Sequence, residues 1–461
     1  MEQNKDTEVN KAAITFYGGA GGVTGANFLF EFEDARILVD CGFVQGEQYC
    51  HDCNYDPFPY DPASIDILFV THAHADHIGR IPKLVRDGFR GKIYSTPATR
   101  DLARVMFEDA LTILAHEARE RGKPIMYERE DIDRALNQWE TIRYHEEQSF
   151  PQGFSVTLKD AGHILGSAIL EFAYDGKKIV FTGDLGNSPS PLLPDTESIK
   201  GATHLVMESV YGDRNHEGKD DREGLLVEAI KDTISRKGTL LIPAFSLDRT
   251  QVLLYFLNNL IEDGVVPEIP VFLDSPLAIR ATDIYTRYSD DFKDEVRKEI
   301  REGDNIFQFP LFKKTRTVPE SRVIMKTPGP KIIIAGSGMS VGGRVLEHEK
   351  HILSDSKNTL LFIGYQGAGT LGRRLREGAK EVTIYGDKVF VRAEVRAIDG
   401  FSAHKDSDHL IDFVADAKDT LKQAFVVMGE PKASLFLTQR LRDELGVNAT
   451  VPEKGSRVEL F

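Results

Sequence analysis

The chain has 461 residues, of which 41% are hydrophobic and 28% charged, so it is long enough for two or three globular domains. Its net charge of −15 argues against a nucleic-acid-binding face over much of the surface, because phosphate binding normally requires basic residues. No apolar run approaches the roughly 18 residues of a membrane span, no signal-peptide core follows Met1, and three cysteines are too few for a disulfide framework, so we expect a cytoplasmic protein without a membrane partner.

The first chemically informative residue in chain order is an acid at the end of an apolar run. Residues 37–39 precede Asp40, and Gly42 follows, which is the pattern of a buried strand that ends at a tight turn. Cys50 and Cys53 come next as a CxxC pair. Without a second pair this is a weak zinc signal, so we expect a structural loop there, with an accessory metal site or a redox pair as the alternative.

The most informative segment runs from His72 to His77 and contains three histidines and one aspartate directly after the apolar run 67–70. A strand that ends there would point His72 and His74 in the same direction. Asp76 and His77 would then begin a helix, whose free N–H groups tolerate an anion. Imidazole nitrogens and carboxylate oxygens are ligands that suit Zn²⁺. The segment therefore predicts a metal site with the outline of a two-metal hydrolase.

Two further ligand candidates follow a helix that the apolar spacing predicts over 98–121. His163 lies between glycines, which let the backbone approach closely. Asp184 ends the apolar run 178–182 at a glycine-flanked turn, as Asp40 does upstream. In a fold of this kind, functional side chains usually lie on the loops at one edge of the sheet, directly after the strands.

The second half of the chain continues the alternation of strands and helices. Apolar runs over 238–242, 270–274 and 331–335 predict strands of a parallel α/β sheet. A further strand is expected over 424–429, followed by a helix, and residues 456–461 have the alternation of a closing strand.

Together the acids and histidines of the first half resemble the successive motifs of the metallo-β-lactamase superfamily, and the later motifs resemble its β-CASP branch. The residues that carry the first resemblance are Asp40, His72, His74, Asp76, His77, His163 and Asp184. The segments that carry the second are 18–25, 208–214, 242–246, 336–344, 364–374 and 400–404. Members of that branch are mostly RNA-processing nucleases, and the chain is similar to the RNA specificity factor-like exonucleases of bacteria and archaea.

The resemblance implies an α/β fold class, namely a metallo-β-lactamase αββα sandwich with an inserted α/β β-CASP domain. The metallo-β-lactamase domain would span residues 1–207 and close with residues 395–461. The β-CASP domain would be the insertion at residues 208–394.

The resemblance also implies a Zn²⁺ cofactor at two sites. His72, His74 and His163 would hold one ion. Asp76 and His77 would hold the other, and Asp184 would bridge the two. Asp40 would orient a ligating histidine through its remaining N–H group. The catalytic residues implied are Asp76, His404, Glu208 and Asp40.

His404 would act as the general acid for the leaving 3′-oxygen, and Glu208 would direct it and raise its pKa. RNA would be held in a narrow channel by glycine amides and local arginines, which reconciles the net charge with an RNA substrate. The RNA- or phosphate-binding residues expected are Ser337, Gly338, Met339, Gly343, Arg344 and Arg249, with Arg373 and Arg374 as further positive groups. A homodimer or RNA-processing partner proteins are also expected.

One residue departs from the family pattern. RNA-processing relatives usually carry a ligating His where this chain has Met428, followed by Gly429 and Glu430. A thioether is a poor zinc ligand, because soft sulfur favours Cu(I). We therefore expect the second ion to be held weakly, or to be Mn²⁺.

The function implied is a zinc-dependent ribonuclease that hydrolyses RNA phosphodiesters through metal-activated hydroxide, as an exonuclease on single-stranded RNA. The alternative is a low-activity or inactive RNA-binding scaffold of the same family, which only Met428 supports. A third possibility is a small-molecule metallo-hydrolase on the same metal core, against which the long second domain argues.

Overall fold

A computed structural model describes residues 12–32, 35–46, 51–122, 124–216 and 221–461, with side chains except at His51 and Arg121. Cys50 lies outside these residues, so the predicted CxxC pair is described only at Cys53. The chain divides into two compact units. The first unit comprises the described residues up to Ser188, Asp195–Asn215 and His404–Phe461, and the second comprises Pro189–Pro194 and His216–Ala403.

The first unit contains fourteen described strands in two sheets. Its strands before the second unit are β1 (Ala12–Gly18), β2 (Asn27–Phe32), β3 (Ala35–Val39), β4 (Ile67–Phe69), β5 (Lys92–Ser95), β6 (Trp139–Thr141), β7 (Glu147–Ser149), β8 (Ser155–Asp160), β9 (Ala168–Tyr174), β10 (Lys177–Phe181) and β11 (His204–Met207). The second unit contributes β12 (Thr239–Pro243), β13 (Val271–Asp274), β14 (Phe312–Lys314), β15 (Lys331–Ala335), β16 (Thr359–Phe362), β17 (Glu381–Ile384), β18 (Asp387–Phe390) and β19 (Glu394–Ala397). The first unit then closes with β20 (Gln423–Val426), β21 (Ala449–Thr450) and β22 (Arg457–Glu459).

The described helices follow the same order. Those of the first unit are α1 (Ala75–Ile78), α2 (Ile81–Arg86), α3 (Pro97–Arg121) and α4 (Arg129–Asn137). The second unit has α5 (Arg222–Ser235), α6 (Arg249–Glu262), α7 (Pro276–Arg287), α8 (Asp294–Arg301), α9 (Val318–Lys326), α10 (Arg344–Ile352) and α11 (Leu371–Arg376). The closing helices are α12 (Ser407–Ala415) and α13 (Pro431–Leu445). Among the helices described, even the 25-residue α3 is not apolar enough to cross a membrane.

The two sheets of the first unit face each other across an aromatic core. Their strand orders are β22-β1-β2-β3-β4-β5-β6 and β21-β20-β11-β10-β9-β8-β7. Phe30 and Phe69 of the first sheet pack on Phe172 of the second, with ring centroids 5.4 and 5.2 Å apart. Helices α12 and α13 cover the outer face of the second sheet through buried residues such as Leu410 and Leu437. The predicted αββα sandwich is therefore confirmed.

The second unit is built on a six-stranded sheet of order β14-β13-β15-β12-β16-β19, in which every described pair of neighbours is parallel. Its central strands β12, β13, β15 and β16 are buried and mostly apolar, as the sequence predicts for a sheet covered on both faces, whereas the edge strands β14 and β19 are partly exposed. The main segment of this unit runs from His216 to Ala403, whereas the boundaries predicted from the sequence are 207/208 and 394/395.

Candidate metal centre

The predicted ligands are delivered by loops at the ends of strands in the first unit. The loop after β4 carries His72 and His74, and α1 follows at once with Asp76 and His77 in its first turn. The loop after β3 packs tightly against this turn. A Cβ added at Gly42 would lie 1.5 Å from the carbonyl oxygen of Asp76, so only glycine permits this contact.

Four ligand atoms converge on one point. Nδ1 of His74 lies 3.1 Å from Nε2 of His72 and 3.2 Å from Nε2 of His163. Oδ2 of Asp184 lies 3.5 and 3.6 Å from the same two Nε2 atoms. All four atoms lie within 4.8 Å of one another. Bonds of about 2.0–2.1 Å to a tetrahedral Zn²⁺ would separate neighbouring ligand atoms by roughly 3.4 Å, so this donor set fits such an ion.

A second group of candidate ligand atoms lies around the other carboxylate oxygen of Asp184, Oδ1. Nε2 of His77 is 3.4 Å from Oδ1 of Asp184 and 3.9 Å from Oδ2 of Asp76. Nε2 of His77 and Oδ1 of Asp184 are buried, and neither has a hydrogen-bond partner among the described residues. Buried polar atoms are normally paired, so these two atoms are available to a cation.

Asp40 lies behind these ligands and fixes the direction of His77. With Nδ1 as its protonated nitrogen, His77 donates to Oδ2 of Asp40 at 2.7 Å and turns the lone pair of Nε2 toward Asp184. Thr71 completes the arrangement, because its amide and hydroxyl both donate to Asp40 at 2.8 Å. Thr71 was not among the site residues predicted from the sequence. Its position immediately before the histidine motif was the available signal.

Burial controls the protonation of the ligands. Burial and the adjacent His77 hold the pKa of His72 well below its ordinary range, so its imidazole is neutral, as a metal ligand must be. Burial raises the pKa of Asp76 to about 6. Burial opposes the charge of both Asp184 and His77, but each stabilises the other: while no metal is bound, the pKa of Asp184 is held well below its usual range and that of His77 well above its own. Asp184 is therefore an anion between two groups of ligands.

Glu208 and His404 form a pair next to the ligand cluster. Oε1 of Glu208 accepts a hydrogen bond from the amide of Leu185 at 2.6 Å and lies 3.3 Å from Nδ1 of His404. An antiparallel bridge between Gly186 and His404 brings the histidine to this position, where Nδ1 is 4.0 Å from Oδ2 of Asp184. Burial raises the pKa of Glu208, against the opposing effect of His404. The side chain of Glu208 is fully buried, whereas that of His404 is 21% exposed, so the pair is open on the side of the histidine.

Met428 follows β20 and packs into the aromatic core. Its side chain is 2% exposed and belongs to the same buried cluster as Phe28. A Cβ added at Gly19 would lie 2.6 Å from its sulfur, so the thioether rests against the bare backbone of Gly19. Met428 and His77 both line a cavity of about 10 Å³. The side chain at position 428 is therefore adjacent to the second group of ligands.

Three family models match the chain: a metallo-beta-lactamase superfamily domain over residues 29–210, a Beta-Casp domain over 250–375 and a Zn-dependent metallo-hydrolase RNA specificity domain over 388–452. Ribonuclease TTHA0252 of Thermus thermophilus is 36% identical over 87% of this chain and 90% of its own length. The RNase J-like protein of Methanocaldococcus jannaschii is 33% identical over 96% and 98%. The chain belongs to the β-CASP family of the metallo-β-lactamase superfamily.

Other relatives of this β-CASP protein are longer. Transcription termination factor FttA of Methanosarcina mazei is 34% identical over 94% of this chain and 69% of its own length. A solved structure of a protein of unknown function from Enterococcus faecalis V583 covers 98% of this chain and 100% of its own, with a TM-score of 0.60 and 14% identity. That likeness shows the fold alone. Membership of the superfamily implies that a divalent metal is bound, and the ligand cluster described above fits one.

The glycine-rich loop predicted to contact phosphate lies between β15 and α10, in the second unit of the β-CASP protein. Two hydrogen bonds from residues later in the chain hold its backbone in place. Nε2 of Gln366 donates to the carbonyl of Gly338 at 2.9 Å, and the amide of Gly372 donates to the carbonyl of Met339 at 3.2 Å. Ser337 accepts the amide of Val341 at 3.1 Å. A phosphate contact by the predicted residues Ser337, Gly338, Met339 and Gly343 stays a prediction.

Two of the four arginines expected near RNA, Arg344 and Arg249, are engaged inside the second unit. Arg344 donates to Oδ1 of Asp274 at 2.6 Å and to the carbonyls of Thr315 and Arg316. Burial opposes ionisation of Asp274, but hydrogen bonds led by that from His348 lower its pKa to about 2. Arg249 donates to Asp248 at 2.8 Å, and its side chain is 13% exposed. These placements give both arginines internal ion pairs, and contact with RNA remains a prediction for them.

Glu349 of α10 lies buried beneath the loop, where Ser340 donates a hydrogen bond to its Oε1. Burial raises its pKa from 4.5 to about 7, so the folded state keeps a proton that the unfolded state releases near pH 4.5. Its contribution to the free energy of unfolding is complete below pH 4.5 and declines as the pH rises toward 7, by roughly 1.4 kcal/mol per pH unit at most. We expect Glu349→Gln to lose less stability than the native chain between pH 5 and pH 8, measured as the urea unfolding midpoint.

The matched control for this prediction is Glu347→Gln. Glu347 lies on the same helix, but its side chain is 57% exposed. The control should follow the pH dependence of the native chain. An equal decline in the native chain and Glu349→Gln would contradict the prediction.

Proposed function

We propose that this β-CASP protein is a metal-dependent ribonuclease that hydrolyses phosphodiester bonds of single-stranded RNA. The observation that carries the proposal is the convergence of three histidines and Asp184 on one point, with the Glu208–His404 pair beside them. The names of two relatives, a ribonuclease and an RNase J-like protein, point to the same substrate. A match to an RNA specificity domain over residues 388–452 supports it further.

We propose Zn²⁺ as the metal, at two sites. His72, His74 and His163 would hold one ion, and Asp76 and His77 the other. Asp184 would serve both, because its two carboxylate oxygens face the two groups. When bound, such ions supply a water molecule of lowered pKa and positive charge that stabilises the attacked phosphate.

The protein's own residues would orient the reaction and move the proton. Asp40 holds His77 through Nδ1 and would thereby orient that ligand. Glu208 lies against Nδ1 of His404, which leaves Nε2 as the nitrogen that would donate a proton to the leaving 3′-oxygen. The open side of His404 would admit the substrate.

Cleavage would proceed from an end of the strand, as in the exonucleases that the chain resembles. One observation favours a second candidate, an RNA-binding scaffold with little turnover. The side chain of Met428 packs into the core next to the second group of ligands and offers that group no nitrogen or oxygen. RNA binding that survives His72→Ala, with no cleavage by the native chain, would support the scaffold.

Removal of metal provides the direct test. Chelator-treated protein should not cleave a 5′-labelled single-stranded RNA, and added Zn²⁺ or Mn²⁺ should restore cleavage. Mononucleotide products would indicate cleavage from an end, and discrete fragments would indicate internal cuts. His72→Ala should lose both bound metal and activity, whereas His116→Ala, at an α3 side chain that is 72% exposed, should keep both. Metal-independent cleavage, or hydrolysis of small esters without cleavage of RNA, would contradict the proposal.

A further inference from the structure

Three apolar side chains are exposed at one edge of the sheet in the second unit. Strands β15, β12 and β16 are adjacent and parallel, so their carboxyl ends meet at the same edge. Phe245 follows β12, Val341 lies in the loop after β15, and Tyr365 follows β16. Their exposed fractions are 37%, 63% and 42%. Ligands of open α/β sheets bind outside the carboxyl ends of the strands, so this edge is the expected place for a binding site.

The ring of Phe245 lies directly against the glycine-rich backbone of this edge. A Cβ added at Gly338 would lie 2.8 Å from Cδ2 of Phe245, and one added at Gly364 would lie 3.8 Å from its Cε2. Tyr365 is the next residue after Gly364. The amides of Gly338 and Met339 donate no hydrogen bond to any residue that the structure describes. This edge therefore combines aromatic rings with backbone N–H groups that could donate hydrogen bonds to an anion.

Single exposed apolar residues need no explanation, because most protein surfaces carry them. Here, however, an aromatic ring follows each of two neighbouring parallel strands, at an edge lined with glycine. The second unit also exposes Tyr385 and Phe390, but these belong to the β17–β18 hairpin and not to this edge. They provide exposed control residues of the same two types.

We propose that Phe245 and Tyr365 form a stacking platform for the bases of single-stranded RNA. This inference rests on the proposed function, in that RNA is taken as the ligand. Stacking of bases on aromatic rings tolerates any sequence, because every base presents a π-face. A chain with a net charge of −15 gains little from general attraction to phosphate, so a source of affinity other than charge is needed. The phosphates between stacked bases would face the amides of the glycine-rich loop.

The test is the affinity of the full chain for a fluorescein-labelled single-stranded oligoribonucleotide, measured by anisotropy in the His404→Ala background so that the RNA stays intact. Phe245→Leu and Tyr365→Leu should each raise Kd by about tenfold. Phe245→Tyr and Tyr365→Phe keep an aromatic ring and should retain the affinity. Phe390→Leu should also retain it. Thermal unfolding of each variant checks that loss of the Phe245 contact with Gly338 has not disturbed the fold.

A second RNA, with abasic sites in place of the bases, separates stacking from phosphate contact. The two leucine variants should bind this RNA as tightly as the parent does, because no base remains to stack. Unchanged affinity of the leucine variants for normal RNA would overturn the inference, as would an equal loss on abasic RNA. Cleavage by the native chain is measured separately. Binding that depends on the rings without cleavage would refute the proposed function alone, and cleavage without dependence on the rings would refute the platform alone.

Discussion

Replacement of His404 with alanine should lower kcat for RNA cleavage by about 10²- to 10⁴-fold, the usual range for loss of a general acid. The ring lies 3.3 Å from the buried carboxylate of Glu208 and is the partly exposed member of that pair. Its Nδ1 is 4.0 Å from Oδ2 of Asp184, so the histidine lies outside the group of His72, His74 and His163, but with Asp184 and Glu208 it forms a second group that could hold a metal ion. As a proton donor and not a ligand of that group, His404 should be replaceable without loss of bound metal, which elemental analysis after dialysis would show.

The control for this experiment is His409→Ala. His409 lies on α12, pairs with Asp406 at 2.5 Å and is 44% exposed, so it matches His404 in residue type and in having an acidic partner. This variant should cleave RNA at the native rate. Native activity in His404→Ala would remove the histidine from the mechanism. Loss of metal together with activity would assign it to metal binding instead.

Replacement of Met428 with histidine should raise the number of tightly bound metal ions from about one per chain to about two. The side chain at this position shares a small cavity with His77, so an imidazole there would be near the second group of ligands. The backbone of Met428 has a positive φ of 48°, a conformation in which histidine is found more often than most residues. We expect Kd for the second ion to fall by at least about tenfold, with an increase in RNA cleavage.

Met428→Leu is the matched control, because leucine has a similar volume and no ligand atom. It should bind metal as the native chain does. Titration with Zn²⁺ and with Mn²⁺ in separate experiments would show which ion occupies the second site. Two ions retained by the native chain after dialysis would contradict the expectation of a weak second site.

Much of the fold followed from patterns in the sequence. The helix predicted over 98–121 is α3, and the closing strand predicted over 456–461 contains β22. The runs 238–242, 270–274 and 331–335 became β12, β13 and β15. The three strands were predictable because each is a nearly continuous apolar run bounded by glycine, proline or charge, and burial on both faces requires that composition. Helix α3 was predictable from the helical spacing of its apolar residues, and β22 from the alternation of polar and apolar residues.

The ligand cluster could be predicted from the sequence for a different reason. Histidines and acids directly after strands are placed at a sheet edge by the strands themselves, so their convergence depends little on distant packing. The direction in which an individual side chain points is not fixed by the preceding strand. Arg344 looked equally suited to a phosphate, but the buried Asp274, 70 positions earlier in the chain, engages it. The role of Thr71 likewise depends on Asp40, which the sequence separates from it by 31 positions.

The position of β20 within the second sheet affects how the protein can be made. This strand lies between β21 and β11, although His216–Ala403 of the second unit separates it from β11 along the chain. During synthesis on the ribosome, the edge of β11 that pairs with β20 has no partner until nearly two hundred residues of the second unit have been added. His404 is added only after that unit, so a nascent chain can hold all the proposed metal ligands before it has its proposed proton donor. Early folding of the inserted unit would shorten the time for which the edge of β11 is open to wrong partners.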